Sequence, residues 1–188
     1  MAIKKSRTER NLLIAFAGES QARNRYDFFA GVAKKEGYIK IQKVFLELAE
    51  NERSHAKNFF KHLEGGDLKI EATFPAGKIG NTVENLKMAI EGETYEYTEL
   101  YPKFARIAEE EGFKNISILF KSIAVAEKHH AETLKELLEE LEKESIFKSQ
   151  DKVLWKCEKC GYIMEGYEPP EKCPACNHPK AYFVKIER

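Results

Sequence analysis

Three features are scarce in this 188-residue sequence: net charge, long apolar runs, and cysteine outside the last quarter of the chain. Lys and Arg together number 31, as do Asp and Glu, so the formal net charge is zero. Such a chain has no long-range field that attracts nucleic acid or an anionic membrane, and we expect neither partner. The longest apolar run near the start, Leu12 to Ala17, is far too short to cross a bilayer.

The four cysteines all lie between residues 157 and 176, as two C-x-x-C pairs. The first residues have neither the apolar stretch nor the cleavage site of a signal peptide, so we expect a cytoplasmic protein. In that reducing compartment the cysteines indicate a metal site rather than disulfides. The hydrophobic fraction of 43% is enough for a packed domain of ordinary size plus a small one.

An internal repeat organises the first three quarters of the chain. Residues 26–63 match the positions 75 further on at 13 of 38 places, which predicts two related helical hairpins. Apolar residues recur at helical spacing in four stretches, 6–36, 39–64, 82–111 and 115–143. The connection 65–80 has no helical period, and its length suits the crossover of a ferritin-like bundle. We therefore predict a mainly α protein with a four-helix bundle over residues 1–146.

Each repeat carries one Glu-x-x-His motif, Glu52 with His55 and Glu127 with His130. Positions i and i+3 share a helix face, and here that face continues an apolar row, so the motifs point into the core. Glu19 and Glu93 fall in the apolar rows of the preceding helices. Buried carboxylates need a compensating cation, and one Glu from each of two helices with Glu-x-x-His from the other two is typical of di-metal carboxylate bundles. Iron, manganese and zinc all suit these ligands.

Glu96 breaks the symmetry of the repeat. Placing Glu19 over Glu93 requires a one-residue slip from the 75-residue register and sets Ala22 opposite Glu96. Glu96 then gives one metal a ligand that the other lacks, unless it is merely a solvated helix position. Tyr26 and Tyr101 occupy repeat-related positions two turns beyond Glu19 and Glu93, where they either fill the core or bond to the metal-binding carboxylates.

The cysteine pairs lie in a second predicted domain, residues 153–188, with strand-like runs at 152–156 and 181–186. A module of this size cannot stabilise itself by apolar burial alone, so bound metal must contribute to its folding. Four thiolates select tetrahedral iron or zinc. The four expected ligands are Cys157, Cys160, Cys173 and Cys176.

Over essentially its whole length the sequence resembles the rubrerythrin family. The resemblance is carried by Glu93-x-x-Glu96, by the two Glu-x-x-His motifs, and by a tail that is similar to rubredoxin with a shortened spacer. It implies a ferritin-like bundle holding a di-iron site, and a small rubredoxin-like domain in which four cysteines hold a mononuclear iron.

The resemblance also implies a function, a non-haem di-iron peroxidase that reduces hydrogen peroxide to water and protects against oxidative stress. Its electrons would come from NAD(P)H through partner redox proteins, a rubredoxin or a reductase, and pass through the rubredoxin-like iron. In the family one iron exchanges Glu96 for His55 on reduction, so these two are the expected catalytic residues. The other implied ligands are Glu19, Glu52, Glu93, Glu127 and His130, and the family forms homodimers.

Two other classes share parts of this pattern. An iron oxidase and storage protein of the ferritin-like class would use the same bundle, but it would not need the cysteine module or Glu96. A structural or regulatory protein with a zinc ribbon would keep the cysteines, yet it would have no reason to bury seven ligands in a bundle. Metal analysis together with a peroxide-reduction assay distinguishes the three classes.

Overall fold

The computed structural model describes residues 2–186, and the ends of the predicted domains at residues 1, 187 and 188 lie outside this range. A helical bundle is followed by a small β module, as predicted. The bundle contains α1 (Arg7–Lys35), α2 (Ile39–Phe60), α3 (Thr82–Tyr95), a π-helical turn (Glu96–Leu100), α4 (Tyr101–Glu110) and α5 (Lys114–Glu142). No helix in the described range is both long and apolar enough to cross a membrane.

Local signals set the ends of these helices. Asn81 and Glu84 form the predicted capping box at the start of α3. The glycines at the two hairpin turns, Gly37 and Gly112, have φ of 87° and 84°, a conformation that only glycine adopts without strain. Each is followed by a residue whose N–H bonds back to the last turn of the helix, so both hairpins close in the same way.

The main correction to the predicted secondary structure concerns the helix predicted over 82–111, which is not continuous. It is interrupted at Glu96–Leu100 by a π-helical turn, in which the N–H of Tyr101 bonds to the carbonyl of Glu96, five residues earlier. Tyr26 follows Glu19 by seven positions, whereas Tyr101 follows Glu93 by eight. The wide turn absorbs this extra residue. In addition, α2 ends at Phe60, four residues before the predicted end.

The bundle has two apolar cores. One contains Tyr26, Phe45 and Leu134, and the other contains Leu12, Phe59 and Phe120. Along α1 and α2 the chain leaves one core and enters the other where Glu19 and Glu52 lie, and α5 does so near Glu127. The predicted ligands therefore form a polar layer between two apolar layers.

The C-terminal module is a three-stranded antiparallel sheet in the order β2-β1-β3. Its strands are β1 (Val153–Cys157), β2 (Ile163–Gly166) and β3 (Phe183–Ile186), and a 3-10 turn (Lys180–Tyr182) precedes β3. The runs predicted at 152–156 and 181–186 correspond to β1 and β3, while β2 was not predicted. Trp155 and Phe183 are buried and pack beside two of the cysteines, which makes a core of minimal size.

The segment after α5 folds back, so that the module lies against the start of α2. Phe147 stacks on Tyr38 with ring centroids 6.4 Å apart. Lys185 Nζ donates to the carbonyl of Ser145 at 2.7 Å, and Lys43 of α2 forms an ion pair with Glu158 of the module. These contacts hold the module at the end of the bundle where α2 begins and α5 ends.

Candidate metal centres

Six of the predicted ligands meet in the polar layer of the bundle. One ligating atom of each residue in the group Glu19, Glu52, His55 and Glu127 lies within 4.8 Å of every other, and the same holds for the group Glu52, Glu93, Glu127 and His130. Glu52 and Glu127 belong to both groups. Two carboxylates shared between adjacent sites would hold both ions of a metal pair, and each remaining residue would hold one ion.

The burial of these side chains shows that the site is built for cations. Glu19, Glu52, Glu93 and Glu127 are at most 1% exposed. Oxygen atoms on all four lack a well-directed hydrogen bond, and the histidine nitrogens beside them at about 3 Å are their nearest positive charge. Carboxylates in such surroundings are strongly unfavourable unless positive charge compensates them, so the residues present fit a pair of metal ions.

Without metal, the charges of the cluster shift one another's protonation. Burial and the charge of the nearby Glu52 carboxylate raise the pKa of Glu93 to about 8, although a hydrogen bond with His130 lowers it. Burial lowers the pKa of both histidines, but the surrounding carboxylates outweigh this and raise it to about 9 for His55 and about 12 for His130. Without metal, protons on these side chains supply the positive charge that metal ions would supply in the loaded site. Metal binding must therefore release these protons.

Two tyrosines support the cluster from opposite hairpins. The hydroxyl of Tyr26 on α1 donates to Glu93 on α3, and the hydroxyl of Tyr101 on α4 donates to Glu19 on α1. Burial and the adjacent carboxylates raise the pKa of both phenols, so they remain protonated donors. The spacing of the tyrosines allowed bonds to the carboxylates, but it did not show that each bond crosses to the other hairpin.

Glu96 belongs to neither four-residue group. It is the first residue of the π-helical turn, and its Oε1 lies 3.9 Å from the position that a Cβ on Gly18 would occupy. Burial and the charges of Glu93, Glu127 and Glu52 raise its pKa. In this structure His55 makes the close contacts with the shared carboxylates, 3.0 Å from both Glu52 and Glu127, and Glu96 lies outside them.

The four cysteines form the second centre. Cys157 Sγ is 3.8 Å from Cys176 Sγ, and Cys160 Sγ is 3.7 Å from Cys173 Sγ, with all four within 4.8 Å of one another. These separations are far longer than a disulfide bond and match the edge of a tetrahedron with metal–sulfur bonds of about 2.3 Å.

Both cysteine knuckles reverse the chain directly after their second cysteine. Gly161 and Asn177 lie there with φ of 79° and 60°, and their N–H groups bond to the carbonyls of Cys157 and Cys173 at 2.8 Å. Glycine and asparagine are the residues that tolerate this conformation best. The positive φ values therefore close the turns that carry the ligands.

Comparison with known proteins identifies this combination. The rubrerythrin family model matches residues 10–138, and the model of the rubrerythrin rubredoxin-like domain matches residues 155–184. The chain belongs to the rubrerythrin family. Rubrerythrin of Porphyromonas gingivalis is 55% identical over 99% of this chain and 93% of its own length. Rubrerythrin of Nitratidesulfovibrio vulgaris is 53% identical over 97% of this chain and 95% of its own length.

Solved structures agree with the fold. Nigerythrin in a partially reduced state is 30% identical, with a TM-score of 0.64 over 97% of this chain and 90% of that chain. A bacterioferritin of Desulfovibrio desulfuricans is 21% identical, with a TM-score of 0.63 over 73% of this chain and 81% of its own, which shows the ferritin-like fold alone. The predicted fold class is confirmed. As a rubrerythrin, the chain is a di-iron protein with a four-cysteine rubredoxin-like iron domain, as predicted for its cofactors.

Sequence reasoning missed one contact in the bundle. The side-chain amide of Asn51 lies 3.4 Å from Nε2 of His130, on the side of the ring away from the carboxylates. Asn51 directly precedes Glu52 on α2. Its repeat counterpart is Ala126, so the difference between the two copies was a visible signal.

Proposed function

We propose that this chain is a peroxidase that reduces hydrogen peroxide to water, using electrons passed through the four-cysteine iron. The observation that carries the proposal is a buried site with two shared carboxylates in the same chain as a rubredoxin-like module. Reduction of one peroxide takes two electrons and two protons and yields two waters. When bound, the iron pair would supply both electrons at once, and the four-cysteine iron would replace them one at a time.

The residues divide this work by position. Glu52 and Glu127 would hold both metals, because they belong to both groups. Glu19 and Glu93 would each hold one metal, and the tyrosine bonds fix the orientation of these two carboxylates. Glu96 and His55 are the catalytic pair in our proposal, alternative ligands that exchange as the charge of the site changes. A ligand outside the cluster and a partly exposed imidazole, 14% exposed, are suited to such movement.

A cavity of about 770 Å³ offers a route for peroxide. It opens between α1, α3 and the 65–80 connection, and Tyr26 and Glu96 are part of its lining. Tyr26 bonds to the ligand Glu93, so the cavity reaches the residues that surround the metals. Arg25 and Lys78 also line it, and both are donors that suit a small polar substrate.

We further propose a cytoplasmic homodimer. Reduced thiolates require a reducing compartment, and the natural donors are a rubredoxin or an NAD(P)H-dependent reductase acting on the exposed Cys160 side of the module. Within one chain the module lies at the end of the bundle, beside Lys43, which is nine residues from Glu52 and so about 14 Å away along the helix axis. A partner bundle packed antiparallel would present its metal layer closer to this module.

The test is peroxide-dependent oxidation of NAD(P)H by the iron-loaded protein with a rubredoxin and its reductase. We expect about three irons per chain, loss of the thiolate-to-iron colour on addition of dithionite, and two electrons consumed per peroxide. Cys157→Ser should abolish the coupled reaction while retaining the bundle irons. Storage of many irons per chain without peroxide turnover would instead favour the ferritin-like iron oxidase. A colourless, zinc-containing module after growth in iron would contradict the electron-transfer role.

A further inference from the structure

The two histidines of the bundle have nearly identical surroundings on one side of their rings. His55 Nδ1 lies 3.0 Å from Glu127 of the other hairpin, and His130 Nδ1 lies 3.2 Å from Glu52. Within their own helices the corresponding distances are 3.0 Å to Glu52 and 2.8 Å to Glu127. The repeat therefore preserves the side of each ring that faces the metals.

The opposite side of each ring differs. Nε2 of His130 faces the amide of Asn51 at 3.4 Å. The position that corresponds to Asn51, 75 residues later, is Ala126, whose methyl group cannot form a hydrogen bond. In the described part of the chain, the contacts of His55 with polar side chains all involve Nδ1. The His55 side chain is 14% exposed and that of His130 is 5% exposed.

Because of the chemistry of imidazole, a ring with a polar partner at Nε2 should be less mobile than a ring without one. A neutral histidine whose Nδ1 binds metal carries its proton on Nε2 and must donate it. Asn51 can accept that proton through Oδ1, since the two ends of an amide have the same shape and either can face the ring. A partner of this kind orients the ring and strengthens the ligand, and its loss typically costs 10- to 100-fold in metal affinity.

We propose that Asn51 is a positioning residue that anchors His130, and that Ala126 leaves His55 unanchored. The pair of positions 51 and 126 then decides which histidine can leave its metal. This inference rests on the proposed function in one respect, because the exchange of His55 for Glu96 belongs to that function. The anchoring itself involves neither peroxide nor electron transfer, so it can be tested separately.

The first test uses protein loaded with Zn²⁺, which is diamagnetic and redox-inert, with ¹⁵N-labelled histidine. NMR measures how fast the imidazole N–H protons of His55 and His130 exchange with water. We expect protection at His130 only, with Asn51→Ala raising the exchange rate of His130 to that of His55. Asn51→Asp keeps an oxygen acceptor of the same length and should restore protection. Asn58→Ala, a matched change on the same helix, should alter neither ring.

The second test reverses the asymmetry. Ala126→Asn should create a second protected N–H, at His55, and this variant gives an answer even if Asn51→Ala fails to fold. In crystals of the iron-loaded double variant Asn51→Ala/Ala126→Asn, His55 should keep one position in the oxidised and reduced states. Equal exchange of both rings in the parent protein, or unchanged exchange at both rings in Asn51→Ala and Ala126→Asn, would overturn the proposal. Protection as expected in a protein without peroxidase activity would reject the proposed function and leave the anchoring intact.

Discussion

At the scale of single residues, the metal layer depends on partners that do not themselves bind metal. The carboxylates of Glu19 and Glu93 receive one tyrosine hydroxyl each, and both bonds lie in the buried interior. A carboxylate that has lost such a bond rotates more freely and leaves a lone pair without a donor. The geometry of the ligands therefore depends on the residues that form hydrogen bonds to them.

Tyr101→Phe tests this support. The variant keeps the ring in the core but removes the donor to Glu19, so we expect metal affinity at the Glu19 side to fall about 10- to 100-fold with little loss of fold. Competition with a chelator measures the affinity, and circular dichroism checks the helices. Tyr95→Phe, at a side chain that is 51% exposed, is the control. An unchanged affinity in Tyr101→Phe would show that the bond is incidental.

Glu96→Ala separates binding from turnover. The six clustered ligands remain, so we expect two metals in the bundle and an unchanged fold, but slower peroxide reduction because the alternative ligand to His55 is lost. Stopped-flow measurement of peroxide consumption by reduced protein gives the rate. Glu99→Ala, at an exposed position of the same π-helical turn, should react like the parent. Parental turnover in Glu96→Ala would contradict the exchange of ligands.

At the scale of elements, one inserted residue distinguishes the two hairpins. The π-helical turn widens the helix directly at Glu96, where the other hairpin has the small residue Ala22. π-Helical turns are rare and concentrate at functional sites. Here the turn begins at Glu96, so the carboxylate lies where the helix is widest.

Deletion of Thr98 should return this turn to the α-helical form. The deletion shortens the spacing between Glu93 and Tyr101 to seven positions, which is the spacing between Glu19 and Tyr26 on α1. We expect Tyr101 to keep its bond to Glu19 and Tm to stay within a few degrees, while turnover falls because Glu96 loses its space. Thermal unfolding, metal analysis and the peroxide assay check the three parts. Loss of bundle metal would show that the extra residue is needed for the site itself.

A second element-scale contact ties the start of α1 to the end of α4. Burial raises the pKa of Glu111, but hydrogen bonds from the hydroxyl and N–H of Thr8 and from Arg7 outweigh burial and lower it from 4.5 to about 2. Because the pKa is lower in the folded state, the ionised carboxylate stabilises the fold. This stabilisation is complete at pH values above the unfolded pKa of 4.5, and it is lost as the pH falls through about 2.

Glu111→Gln should therefore destabilise the protein by about 1–3 kcal/mol at neutral pH, and by less at pH values approaching 2. Urea unfolding at pH 7 and at pH 3, with the same metal load, measures the difference. The control is Glu110→Gln, whose side chain is 51% exposed and forms its ion pair with Arg7, and about 0.5 kcal/mol is the most we expect from it. A difference between Glu111→Gln and the parent that does not change with pH would exclude the ionised carboxylate as its cause.

At the scale of the whole molecule, the question is which bundle each module serves. The chain folds back after α5, and the ion pair between Lys43 and Glu158 holds the module at the α2 end of its own bundle, away from the metal layer. Electron transfer falls off steeply with distance. In the proposed homodimer, one chain's module would instead lie beside the partner's metals.

Mixed dimers decide between the two routes. Chains with Cys157→Ser lack an intact module, and chains with Glu127→Ala lack an intact bundle site, so each should be inactive alone when electrons enter through the module. Heterodimers purified with two different tags should regain part of the parental activity if transfer occurs between subunits. No recovery in verified heterodimers would establish transfer within one chain, since each chain then lacks one of the two centres.

Much of this site could be predicted from the sequence because its ligands contradict their surroundings. Glu52, His55, Glu127 and His130 are polar residues on apolar helix rows, and a period of 3.6 residues is enough to show which way they point. The caps at Asn81 and Gly37 and the cysteine pairs are likewise local signals, read within a few residues. The sequence by itself therefore determined the bundle, the small metal domain and the residues proposed as their ligands.

Only the tertiary structure decided how these parts meet. It showed that Glu52 and Glu127 are shared, that Tyr26 and Tyr101 bond across the hairpins, and that Asn51 reaches His130. It also placed the module beside α2, and it showed that the one-residue slip in the repeat corresponds to a π-helical turn. Each of these depends on the packing of helices far apart in sequence, where the partner of a side chain is set by the distance between two surfaces and not by the residues around it.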